Sequence, residues 1–332
     1  VLRACTQEGL LESLERISEE LAQCKKSLQD FLDGKRQQFP RFYFVSEADL
    51  LDLLSNASQP ANIMKHVTKV FLAVKTFKLT EFGEGARPAA TGWISEVGQE
   101  EVVFEPAVPL EGKAEVYLQK ILNGMRGTLK NRLRESAERY PTQERTRWLT
   151  DKTPDDQPTD PAQISLLTSS VYYARNVETA FSAMGSGNPA GLRDFNAVQK
   201  QQLAELIKLT QQEGMSKGER RRVMCMITLD AHNRDLIEKL IREGVSDAGA
   251  FQWQSQLRAR WDDPKARLQI ADANFDYGYE YLGNGSRLVI TPLTDRIYVT
   301  ATQALHLNMG CAPAGPAGTG KTETTKDLAS AL

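Results

Sequence analysis

"KAEVYLQKILNGMRGTLKNRLRESAERY", Lys113 to Tyr140, sets the fold class. Its apolar residues recur at helical spacing, and Pro141 ends it, so the stretch reads as one long helix. Downstream, "TDKTPDDQPTDP" (150–161) crowds prolines with turn-forming acids and reads as a surface loop. Three more helical segments follow, roughly 161–184, 192–213 and 217–244, separated by "GSGNPAG" and "EGMSKG". No fixed-period repeat stands out.

Upstream, Leu10, Leu14, Ile17, Leu21, Cys24, Leu28 and Phe31 recur at alternating steps of four and three, with Glu, Lys and Gln between them. This predicts a long amphipathic helix packed along other helices, although a coiled-coil seam gives the same pattern. "FPRFYFVSEADLLDLLSN" predicts an extended run, Phe42 to Val45, then a helix capped by Ser46 with Asp49 in a capping-box position. "NIMKHVTKVFLAVKTFKL" predicts full or partial helix, and "EFGEGARP" breaks the chain. "GWISEVGQEEVVFEP" then predicts two short strands with a turn near Gly98.

Composition excludes several classes. Over 332 residues, 41% are hydrophobic and 25% charged, the balance of a globular protein, and the formal charge is −2. Such a charge exerts no global pull on nucleic acid or an anionic membrane, and the run Arg220-Arg221-Arg222 is short enough to be a solvated helix face. Cys5, Cys24, Cys225 and Cys311 show no C-x-x-C spacing, which speaks against a zinc site or a disulfide framework and fits a reducing compartment. His66, His232 and His306 lie far apart with no H-E-x-x-H pattern, so each reads as structural. There is no stretch of signal-peptide or membrane-span character, and both ends read as cut within helices.

The texture changes near Trp261. Short β-type runs, Leu268–Ala271 and Leu288–Thr291, flank a turn-rich aromatic segment, and Thr294-Asp295 read as the cap of a helix, "RIYVTATQALHLN". A domain boundary is expected between about 262 and 272. Near the end stands "GPAGTGKT", in which Gly315, Gly320, Lys321 and Thr322 fill G-x-x-x-x-G-K-[ST]. Glycines let successive backbone N–H groups turn inwards on phosphate oxygens, and Gly318 adds to that freedom. Lys321 would set its ammonium against the β- and γ-phosphates, the Thr322 hydroxyl would ligate Mg²⁺, and the helix that begins there offers its positive end. A flexible Gly-rich linker is the bland alternative, and "NMGCAPA" is a poor match for the buried strand that usually precedes such a loop. Hydrolysis also needs an acid at the end of a second strand, and the ten residues after Thr322 contain no apolar run ending in Asp or Glu, so this chain by itself is not expected to turn over ATP.

At this point a resemblance enters. "FDYGYEYLGNGSRLVITPLTDRIYVTATQALHLNMGCAPAGPAGTGKTETTKDLASAL", Phe275 to Leu332, closely resembles the start of the first AAA+ module of dynein heavy chains. "KRQQFPRFYFVSEADLLDLLS", "MCMITLDAHNRDLIEKLI" and "FQWQSQLRARW" resemble segments of the dynein linker, and "TETTKDLA" is closer to the axonemal type. Ile297, where many dyneins carry Cys, and a less aromatic "QLRARW" depart from the pattern without touching the phosphate chemistry.

The resemblance implies a mainly α fold. An elongated helical linker, 1–265, would carry a small β-hairpin insertion. The N-terminal part of an α/β P-loop (AAA+) module, 266–332, would follow it, cut after the P-loop helix. It implies ATP or ADP with Mg²⁺ held by Gly315, Pro316, Ala317, Gly318, Thr319, Gly320, Lys321, Thr322 and Glu323. Leu288, Val289, Ile290, Thr291, Pro292 and Leu293 would enclose the adenine. It implies a microtubule motor of the cytoskeleton, in a cilium or flagellum axoneme. Its partners would be the remaining AAA+ ring, intermediate and light chains and microtubules, with no nucleic acid or membrane. A different P-loop enzyme such as a small-molecule kinase, and a non-catalytic helical scaffold with a vestigial P-loop, are the competing readings.

Overall fold

A computed structural model describes residues 8–80, 88–154 and 156–332. Helix α1 (Leu10–Gln38) opens the described chain, followed by a 3₁₀ turn (Pro40–Phe44) and α2 (Glu47–Ser55). Short helices α3 (Pro60–Ile63) and α4 (Val67–Val70) lead into strands β1 (Val74–Leu79), β2 (Ala89–Ser95) and β3 (Glu101–Pro109). Then come α5 (Ala114–Arg139), α6 (Arg145–Thr150), α7 (Ala162–Gly185), α8 (Gly191–Thr210), α9 (Lys217–Arg242) and α10 (Phe251–Gln254). A second sheet, β4 (Arg258–Asp262), β5 (Lys265–Ile270) and β6 (Ala273–Asp276), precedes α11 (Pro292–His306) and α12 (Lys321–Ala331). Helix dominates, with two small three-stranded antiparallel sheets in orders β1-β2-β3 and β4-β5-β6.

The expected hairpin is present, with Gly98 in its turn at φ 85°, and a third strand joins it. Phe77 of β1 faces Trp93 of β2, which faces Val102 of β3. Phe77, Trp93 and Phe104 bury their rings on α5, which supplies Tyr117, Leu118, Ile121, Met125, Leu129 and Leu133 at helical spacing. Around the antiparallel helices α7, α8 and α9 a second core gathers Val177, Phe181, Ile237 and Leu240 about Trp253. Helix α7 is the hub: it packs against α5, α8, α9 and β4. A buried ion pair, Arg145 with Asp230, joined by the Ser169 hydroxyl at 2.8 Å, ties α6, α9 and α7.

Four local expectations differ from the structure. Of Phe42–Val45 only Val45 is extended: Pro40 begins a 3₁₀ turn, running to Phe44, that buries Phe39 and Phe42 edge to face, three residues apart, under α1. Leu288–Thr291 forms no strand, because no described strand lies alongside to complete a ladder. The cap of α11 is Thr291 rather than Thr294-Asp295, with Thr294 closing a capping box and Pro292 at the first helical position. On α1, Leu14, Ile17, Leu21, Leu28 and Phe31 stand exposed, and burial begins only at Leu32. Ser46 does cap α2, accepting from the Asp49 N–H at 3.3 Å. The break at "EFGEGARP" and Cys5 lie outside the described residues, apart from Pro88. No described helix is long and apolar enough to cross a membrane.

Candidate nucleotide site

The phosphate loop runs directly into α12. Gly318 and Gly320 both hold left-handed backbones, φ 76° and 81°, and a Cβ at either would meet no atom within 4 Å. Glycine is needed here for conformation rather than for space, as expected where N–H groups must turn towards an anion. Gly320 caps α12 without a side-chain acceptor, so the free N–H groups of the first turn face outwards from an exposed loop. The Lys321 ammonium folds back across the loop, donating to the carbonyls of Gly315 (2.8 Å) and Pro316 and to the Thr319 hydroxyl (3.3 Å). Thr319 in turn donates to the Pro316 carbonyl at 2.9 Å, so the loop closes on itself around the cation. Ala317, Thr322 and Glu323 are exposed beside it. A lysine held at the mouth by weak carbonyl partners can trade them for phosphate oxygens, which are stronger, charged acceptors.

The structure fits a nucleotide at this loop, and Thr322 at the second position of α12 could hold a divalent cation beside it. Among the expected adenine-enclosing residues, Leu288, Val289, Thr291, Pro292 and Leu293 are exposed and Ile290 is half-buried. They form the coil and first turn that lead into α11, a short apolar surface open to a planar base.

One residue that sequence reading passed over joins the two segments. Asp327, on the inner face of α12 and 8% exposed, accepts from the Leu288 N–H at 3.4 Å and from the Tyr298 hydroxyl. Arg287 approaches the same carboxylate at 3.8 Å. Helix α12 is therefore pinned to the root of the Leu288–Leu293 segment and to α11. Burial, together with the Asp327 carboxylate, pushes the Tyr298 hydroxyl well above its ordinary value, so it stays a donor. The signal was available: Thr324, Asp327 and Leu328 stand at i, i+3 and i+4, the spacing of a buried face. Beneath, Ile270, Ala273, Tyr298 and Leu328 pack together, seating α11 and α12 on the second sheet.

A second set of bonds holds the segment between β6 and Leu288 to the helical body. Gln163, at the start of α7, donates to the Tyr277 hydroxyl (2.5 Å) and the Glu280 carbonyl (2.7 Å) and accepts from the Leu282 N–H (2.9 Å). Glu280 pairs with Arg41 at 2.5 Å. Buried Glu100 accepts from the Tyr281 hydroxyl (2.8 Å), from Arg222 of α9 (3.0 Å) and from the Ala162 N–H that opens α7 (2.7 Å). Burial first, and then the Glu100 charge, raises the Tyr281 hydroxyl far above its ordinary value. The result is a stiff junction of four elements upstream of the phosphate loop.

Comparison with known proteins finds two family matches, one at each end of the chain. Residues 1–136 match the family described as "Dynein heavy chain, N-terminal region 2", and residues 277–332 match "Hydrolytic ATP binding site of dynein motor region". The chain is 48% identical over 99% of its length to the dynein alpha chain of the flagellar outer arm of Chlamydomonas reinhardtii. It is 43% identical to the ciliary dynein beta chain of Tripneustes gratilla and 42% identical to dynein axonemal heavy chain 9 of Homo sapiens, each over 100% of its length. It spans about 7% of the length of these relatives. The phosphate loop and its Asp327 brace thus lie in the stretch that matches the dynein ATP-binding region, and the chain belongs to the dynein heavy-chain family.

Proposed function

We propose that this chain is the part of an ATP-driven microtubule motor in which a helical lever, residues 1–265, meets the start of its main ATP-binding module, 266–332. The observation that carries the reading is the chain of contacts from phosphate loop to helical body. Asp327 braces the loop's helix against Arg287, Leu288 and Tyr298, and Gln163 and Glu100 grip the preceding segment from α7, α9 and the β2–β3 turn. Nucleotide would lie on the backbone of Gly315, Pro316, Ala317, Gly318, Thr319 and Gly320. Lys321 would meet its terminal phosphates, Thr322 would hold Mg²⁺, and Glu323 would stand beside the metal. The base would rest on Leu288 to Leu293. A phosphate charge drawn against the loop then shifts α12, and through Asp327 the strain reaches the junction with the lever.

The relatives are flagellar, ciliary and axonemal by name, which supports an axonemal setting. There the rest of the AAA+ ring, intermediate and light chains and microtubules would be its partners. The test is nucleotide binding by the 332-residue chain, read with a fluorescent ATP analogue. Lys321→Ala is expected to weaken binding roughly 10- to 100-fold, the worth of one or two charge-assisted hydrogen bonds. Unchanged affinity would remove the loop from the function.

A further inference from the structure

We propose that the groove between α9 and the β2–β3 turn is a docking site for an extended acidic peptide of a partner polypeptide, and that its occupant acts on the phosphate-loop helix through Arg287. The groove encloses about 850 Å³. Its walls carry four cations, Lys217, Arg220, Arg221 and Arg287, against one carboxylate, Glu96, in a chain whose formal charge is −2. Lys217 and Arg221 make no ion pair among the described residues, and Arg220 spends one N–H on the Thr210 carbonyl at 2.7 Å. Glu219 does not neutralise them: its carboxylate is bound to the Ser216 N–H (2.7 Å) and to Lys152 (2.8 Å).

The arrangement selects the ligand. Lys217, Arg220 and Arg221 cluster on the first turn of α9 and face Arg287 on the opposite loop, and the groove they line, about 850 Å³, has more room than one compact anion fills. Met224, 49% exposed, offers an adaptable apolar surface between them for a hydrophobic side chain. No aromatic ring stands among the lining residues for a nucleobase to stack on, which favours peptide over nucleic acid.

Arg287 also reaches Asp327 at 3.8 Å. A carboxylate entering the groove competes for that guanidinium and loosens the brace between the adenine segment and α12. This second half rests on the nucleotide reading above.

The experiment uses the 332-residue chain and a fluorescein-labelled Glu-rich peptide, followed by fluorescence anisotropy. Saturable binding is expected that falls as salt rises, is lost more than tenfold in K217E/R221E, and is unchanged in K25E/K26E on the exposed face of α1. Circular dichroism checks that each variant is folded. Equal loss in both double variants, equal binding of a Gln-rich peptide, or tighter binding of an oligonucleotide overturns the site. For the coupling, saturating peptide is expected to shift the affinity for the fluorescent ATP analogue severalfold, and the shift should vanish in Arg287→Ala. Peptide binding with an unmoved ATP affinity overturns the coupling alone. Peptide binding with no ATP binding at all overturns both the coupling and the nucleotide reading, and leaves the groove standing.

Discussion

Glu100 shows how much one side chain can hold. Its carboxylate and the Arg222 guanidinium are each about 5% exposed, and three donors from separate elements converge on it. Deleting one member of a buried ion pair leaves the other charged and unsolvated. Glu100→Ala should therefore cost about 3–5 kcal/mol, read by urea unfolding. Tyr281→Phe, which removes one hydrogen bond and keeps the ring against Trp93, should cost about 1 kcal/mol. If Glu100→Ala unfolds at the urea midpoint of the parent chain, the junction is not a structural joint. The sequence alone could not expose this residue, since Glu100 sits in "GQEEVV" beside an acid that is merely half-buried, and only the tertiary fold separates them. Asp327 differs: with Thr324 and Leu328 it stands at the i, i+3 and i+4 spacing of a buried face, a local signal in the sequence.

At the scale of elements, helix α9 depends on its first turn. Ser216 accepts from the Glu219 N–H at 3.2 Å while Glu219 accepts from the Ser216 N–H, a complete capping box. Ser216→Ala is expected to cost about 1 kcal/mol by thermal unfolding. Burial alone would raise the Glu219 carboxyl, but the Lys152 ammonium and the Ser216 hydrogen bonds bring it down to about 2. A depressed carboxyl stabilises the folded state above its ordinary value, 4.5, and the contribution is lost as pH falls towards about 2. Between those limits the parent chain should lose more thermal stability than Glu219→Gln, and parallel curves would dismiss the assignment. The cap at Ser46 was legible because a polar residue, an acid three places on and an apolar run are local signals. Strand β1 was not: "VKTFKL" follows helical sequence with no turn residue between, and only pairing with β2 makes it a strand. Leu288–Thr291 failed in the opposite sense, a run rich in β-branched residues with no ladder to join. Thr291 was available as a cap, since a residue before proline leaves the helical region and proline favours the first turn.

Across the whole molecule, the candidate site was the most legible part, because a phosphate loop is written in consecutive residues, whereas its brace and its anchorage are written across the chain. That difference bears on the proposed lever. Such a lever would transmit force only if its middle does not yield, and α7 packs on α5, α8, α9 and β4 at once while its first turn grips the Tyr277–Leu282 segment. Helix α1 is built otherwise: through its first six turns nearly every side chain is exposed, so its hydrogen bonds have little tertiary support. Amide hydrogen exchange on the chain should therefore separate the two. The central turns of α5, α7 and α9 should exchange only through near-global opening, and α1 before Leu32 should exchange faster by several orders of magnitude. Nucleotide should slow exchange further in α12 and at Leu288, whose N–H is bound by Asp327, and leave α1 untouched. If α7 exchanges as quickly as α1, the helical body cannot act as one rigid arm. If α7 is protected but nucleotide changes nothing beyond the phosphate loop, the arm is rigid and the Asp327 brace does not carry the signal.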